Sequence, residues 1–63
     1  MGNGYVVLLS DGVWLAEGNG YPPRTLVARN AKLFATMQGA RAALTRARKY
    51  HPFATAEIIE VRR

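Results

Sequence analysis

The sequence predicts a small α+β domain, in which an antiparallel sheet is covered on one face by a single α-helix. Two short apolar runs flank an Asp-Gly turn, one later stretch has helical periodicity, and the last run again has the character of a strand. Sixty-three residues are enough for one domain, residues 1–63. One helix on one face of the sheet buries the apolar side of both in the ββ(β)αβ order.

The first two strands are predicted to form a β-hairpin. The runs "YVVLL" at 5–9 and "VWLAE" at 13–17 are rich in β-branched and aromatic residues. Between them, "SDG" at 10–12 ends in Gly12, which can supply the positive φ that such a turn needs. The two strands should therefore pair directly.

A loop is predicted at 18–24, because "GNGYPPR" combines turn-forming residues with two prolines. "TLVAR" at 25–29 follows as a short third strand at a sheet edge. "NAKLF" at 30–34 then predicts a single helical turn that begins at Asn30.

The main helix is predicted from Met37 to Lys49, with Thr36 as its N-cap. Its apolar residues recur at i, i+3, i+4 and i+7, which is the spacing of one helix face. The stripe consists of Ala40, Ala43, Leu44 and Ala47.

The helix should end near His51, because His51 precedes a proline and is biased away from helical angles. "AEIIEVR" at 56–62 is the last predicted strand, with Ile59 and Val61 on one face and Ile58 and Glu60 on the other. The side chains expected to form most of the core are Tyr5, Val7, Leu9, Trp14, Leu33, Phe34, Leu44, Ile59 and Val61.

The composition argues against catalysis, and we expect no cofactor or metal. The chain has no cysteine, one histidine and four carboxylates, which is a poor supply of ligands for an ordinary zinc site. Ser10 lies beside Asp11 in a tight turn, but the only histidine is far along the chain and nothing resembles a nucleophile elbow. No motif in the sequence combines a nucleophile and a base in the way that an active site requires.

The basic residues are the strongest functional signal. The net charge is +5, and seven basic residues but no acidic ones lie between Gly18 and Ala56. Such a region attracts anionic partners, although a solvated helix face is an alternative explanation. The residues predicted to contact a partner are Arg41, Arg46, Arg48, Lys49, Tyr21 and Arg24.

No apolar run approaches the ~18 residues that cross a bilayer, and the first residues lack the features of a signal peptide. We therefore expect no membrane association and a cytoplasmic location. Hydrophobic edge strands leave self-association into a homo-oligomer open.

Four short motifs are distributed along the chain. The motifs are the strand "YVVL", the hairpin "DGVW", the lead-in "AKLFAT" to a basic helix, and the last strand "AEIIEV". The matching residues are Tyr5, Val6, Leu8, Asp11, Gly12, Trp14, Ala31, Lys32, Phe34, Thr36, Ala56, Ile58, Ile59 and Val61. Together these motifs resemble those of small accessory proteins encoded by bacteriophages and prophages. This resemblance implies a non-catalytic binder of host machinery, such as an anti-CRISPR or other anti-defence inhibitor.

Two functional hypotheses follow. The first is a small binding protein, with the loop residues Tyr21 and Arg24 adding to the helix, that blocks or modulates a host protein or nucleoprotein complex. The alternative is a nucleic-acid-binding protein whose basic helix, 37–49, contacts the phosphate backbone. In the second case, the shortage of Asn and Gln on the helix predicts little readout of base sequence.

Overall fold

The computed structural model describes residues 3–18, 20 and 22–62 of the chain. Within them, a four-stranded antiparallel sheet is combined with one α-helix, which confirms the predicted α+β class. The elements are β1 (Asn3–Ser10), β2 (Val13–Leu15), β3 (Arg24–Thr25), a 3₁₀ turn (Ala28–Asn30), α1 (Met37–Ala47) and β4 (Glu57–Arg62).

The sheet has the strand order β3-β2-β1-β4, so the first and last long strands are neighbours. The hairpin forms as predicted around Gly12, whose φ is +73°. The β1–β2 pairing shifts by one residue between Leu8, opposite Trp14, and Ser10, opposite Val13. β1 pairs with β4 along six residue pairs without interruption.

The segment between β2 and α1 differs from the prediction in two ways. β3 is only two residues long, and the chain then forms the 3₁₀ turn, in which Asn30 N–H donates to Val27 O. The helical turn predicted at 30–34 is absent, because the chain is extended after the 3₁₀ turn ends at Asn30. Lys32 N–H donates to Leu15 O, and Phe34 exchanges both backbone hydrogen bonds with Tyr5 at 2.8 Å. The backbone groups are thus satisfied by strands rather than by a helix.

α1 begins after Thr36, as predicted. The Thr36 side-chain oxygen accepts a hydrogen bond from Gly39 N–H at 3.0 Å, which satisfies one of the free donors of the first turn. The helix ends at Ala47, two residues before the predicted end. Lys49 and Tyr50 instead close tight turns onto the carbonyl oxygens of Arg46 and Ala47.

The core lies between α1 and one face of the sheet. Its buried residues include the four predicted helix positions, together with Val7 and Leu9 of β1. The core residues predicted for β2 and β4 were wrong. Val13 and Leu15, instead of Trp14, face the helix from β2, and Ile58, instead of Ile59 and Val61, faces it from β4. The register of β4 against β1 decides which face of β4 is buried. Ile58 lies opposite Val7, and Val7 points toward the helix, so Ile58 does as well.

The opposite face of the sheet is also apolar. Val6 and Ala31 are buried outside the main core. Leu33, which was expected in the core, is 44% exposed and packs against Gly4, where a Cβ atom would lie 2.5 Å from Leu33 Cδ1. Both faces of this small sheet therefore hold hydrophobic side chains, although α1 covers only one.

Candidate binding surface

The basic residues of α1 lie on two flanks of the helix. At about 100° per residue, Arg41 and Arg48 are separated by about 20° around the axis, whereas Arg46 is about 140° from Arg41. All three side chains are exposed, and the buried alanine stripe passes between the two flanks. Lys49 lies beyond the helix end and is also exposed.

Arg41 and Arg48 border a groove between α1 and β4, which we call the β4 groove. Its volume is about 460 Å³. Apolar side chains from both elements line it, with Leu44 from the helix and Ile58 from the strand. The full lining is Met37, Arg41, Leu44, Thr45, Arg48, Ala56 and Ile58.

Neither arginine of the β4 groove is neutralised within the described part of the chain. No ion pair joins Arg41 or Arg48 to a carboxylate of residues 3–18, 20 and 22–62. Thr45, between them, directs its hydroxyl to the Arg41 carbonyl oxygen at 3.0 Å. The groove therefore combines an apolar floor with two cationic side chains whose charge is available to a partner.

Arg46 lies on the other flank, above β2 and the proline-containing loop. It lines a cavity of about 250 Å³ together with Lys32, Pro22, Pro23 and Tyr50, among others. Lys32 is engaged there, because its Nζ is 3.4 Å from the Glu17 carboxylate and 5.3 Å from the centre of the Phe34 ring. This flank is consequently less cationic than its residue types suggest.

Arg24 belongs to a third region, at the end of the sheet. It lines a cavity of about 440 Å³, with Ser10, His51 and Phe53 among the other lining residues. Its guanidinium donates to Pro22 O at 3.0 Å. Phe53 has a φ of +48°, and its backbone N–H approaches His51 Nδ1 at 3.4 Å. His51 thus contacts its own loop, consistent with a helix-ending role.

The predicted contact residues do not form a single surface. Arg41 and Arg48 are brought together, while Arg46 and Arg24 line two other cavities. Tyr21 lies outside the described residues. The apolar floor of the β4 groove was not predicted, because Ile58 was assigned to the other face of the sheet. Arg41 and Arg48 were predicted from their charge, but the strand edge that lies beside them was not predicted.

In the described ranges, no three His, Asp or Glu side chains come together in the manner of a metal site. No helix of this part of the chain is long and apolar enough to cross a bilayer.

Comparisons of the chain with protein-family models, with curated proteins and with solved structures find no match. The resemblance to phage accessory proteins therefore stays a hypothesis that rests on the sequence motifs.

Proposed function

We propose that this protein acts by stoichiometric, non-catalytic binding, and that it blocks or modulates a host protein or nucleoprotein complex as phage-type accessory factors do. In this proposal it works in the host cytoplasm, and its partner presents an acidic surface. The observation that supports it best is the β4 groove, where two arginines without internal partners border an apolar floor.

The distribution of charge favours a protein partner over a phosphate backbone. Phosphate contacts require cations but no apolar surface between them. The cations of α1 are divided between two flanks, and the flank with Arg41 and Arg48 also exposes a hydrophobic groove. Protein interfaces characteristically combine a desolvated apolar centre with arginine contacts.

The experiment is affinity capture from a nuclease-treated bacterial lysate with the immobilised protein. We expect recovery of one host protein or complex by the native chain. Capture should be lost with Arg41→Glu/Arg48→Glu, which reverses the charge beside the groove. The matched control is Arg46→Glu/Lys49→Glu, which makes the same change in net charge on the other flank of the helix and just beyond its end, and should retain most of the capture.

A salt titration with duplex DNA and duplex RNA tests the alternative function. Phosphate binding would decrease steeply with salt, and its slope would be reduced by Arg46→Ala/Arg48→Ala. That result, together with no specific capture from the lysate, would replace our proposal with nucleic-acid binding. Absence of both activities would contradict the two proposals together.

A further inference from the structure

We infer that the β4 groove accepts an extended acidic peptide segment of the partner, which adds to the sheet as a fifth strand beside β4. This inference rests on the proposed binding function and names the chemistry of the partner. The peptide would place carboxylates beside Arg41 and Arg48 and an apolar side chain between them. Strand addition of this kind obtains affinity from main-chain hydrogen bonds and specificity from alternate side chains.

The backbone of β4 provides the open edge. In the described part of the chain, β4 has one strand neighbour, β1. Tyr5 lies opposite Glu60 but exchanges its backbone hydrogen bonds with Phe34, on the other side of β1. Tyr5 and Glu60 are therefore a non-hydrogen-bonded pair, and the N–H and C=O of Glu60 point away from β1. By alternation, those of Ile58 do the same.

On the side that faces α1, this edge lies beside an apolar floor and two arginines. A fifth strand beside β4 would direct every second side chain toward the helix, over the floor formed by Ile58 and Leu44. Arg41 and Arg48 are seven residues apart, about 10 Å along the helix axis. Glu60 also lies on the helix side, since it is opposite Tyr5, and it is the only carboxylate that β4 places there.

These dimensions specify a pattern for the peptide. Side chains on one face of a strand repeat about every 6.7 Å, so residues four apart are separated by about 13 Å. Arginine side chains can bridge the difference from about 10 Å, and the residue midway between the two acids would contact Ile58 and Leu44. The predicted pattern is acid–x–apolar–x–acid, which reads the same for either strand direction.

The probe is the peptide TETVTET, blocked at both ends and labelled with a fluorophore, and binding is measured by anisotropy. The control peptide TTEVETT has the same composition and charge but places its acids on the face opposite to the valine. We expect TETVTET to bind at least fivefold more tightly than TTEVETT. Equal affinities would overturn the inference, because simple charge attraction does not distinguish the two peptides.

Variants of the protein test the two arginine contacts and the backbone hydrogen bonds of the added strand separately. Arg41→Ala and Arg48→Ala should each weaken TETVTET binding about threefold, as expected for exposed ion pairs, whereas Arg46→Ala should leave it unchanged. Glu60→Pro removes an outward N–H at an edge position that tolerates proline, and should weaken binding at least tenfold. Glu60→Ala, which keeps the N–H and removes a repelling carboxylate, should strengthen it slightly.

Amide hydrogen exchange, followed by NMR, provides a direct readout of the added strand. The Ile58 and Glu60 amides should gain protection when TETVTET binds, whereas those of Ile59 and Val61, which already face β1, should change little. Unchanged protection at Ile58 and Glu60 in the peptide-saturated protein would overturn strand addition.

Two outcomes separate this inference from the proposed function. Host capture that depends on Arg41 and Arg48 but is insensitive to Glu60→Pro would refute the fifth strand and leave the binding function standing. A native protein that sediments as a dimer, and that Glu60→Pro converts to a monomer, would overturn the inference because a second copy would already occupy the edge. Peptide binding without host capture would contradict the proposed function alone.

Discussion

Leu33 packs against the backbone of Gly4 on the sheet face opposite α1. A Cβ atom at Gly4 would lie 2.5 Å from Leu33 Cδ1 and 2.7 Å from its Cγ. Because the branch point itself is too close, rotation of the terminal methyl groups would not relieve the overlap. Gly4→Ala should therefore lower the free energy of unfolding by about 1–2 kcal/mol, as measured by urea denaturation.

The background Leu33→Ala provides the control for that prediction. Without the leucine branch, Gly4→Ala should no longer destabilise the protein and should stabilise it by about 0.5 kcal/mol, since glycine is unfavourable within a strand. The double-mutant cycle thus predicts a change of sign. The same cost in both backgrounds would show that Leu33 does not pack against Gly4.

At the residue scale, sequence reasoning located several positions from local chemistry. Thr36 caps α1, and Gly12 adopts a positive φ in the hairpin turn, because short-range hydrogen bonding and sterics decide both. Leu33 could not be placed in the same way. Its contact with Gly4 connects residues that are distant in the chain, and it depends on how the segment before α1 returns to β1.

At the element scale, the orientation of β4 is the main difference between prediction and structure. "EIIEV" has apolar residues on both faces, so counting favours the face with Ile59 and Val61 as the buried one. The structure places Ile58 on the core, opposite Val7, while Glu60 of the same face is exposed. Alternation cannot identify the helix-covered face when both faces are apolar.

Matched truncations of the two isoleucines test this orientation. Ile58→Ala should lower the free energy of unfolding by about 2 kcal/mol, because Ile58 packs against the core beneath α1. Ile59→Ala removes the same atoms from the face that α1 does not cover and should cost about 1 kcal/mol. Urea denaturation of both variants measures the difference, and a larger cost for Ile59→Ala would contradict the register of β4.

At the scale of the whole molecule, the fold class was predicted from the sequence. The excess of basic charge can be counted in the sequence, but its arrangement on the surface was not predicted. Arg41 and Arg48, seven residues apart, lie on the same side of α1 and border the β4 groove. The groove beside them depends on which strand lies at the sheet edge. That order results from the pairing of β1 with β4, a contact between the two ends of the chain that local patterns do not encode.

The excess of basic charge predicts how the free energy of unfolding depends on salt. Seven basic residues lie between Gly18 and Ala56 without an acidic residue among them. Four of these, Arg41, Arg46, Arg48 and Lys49, lie on α1 or directly after it, so like charges repel one another there. Added NaCl screens this repulsion. We expect the free energy of unfolding, measured with urea, to rise by roughly 0.5–1 kcal/mol between 20 and 300 mM NaCl. Arg41→Gln/Arg48→Gln should show a smaller rise, because it removes two of the repelling charges. A free energy that falls with salt would contradict this prediction, because it would mean that attractive ion pairs outweigh the repulsion among these basic residues.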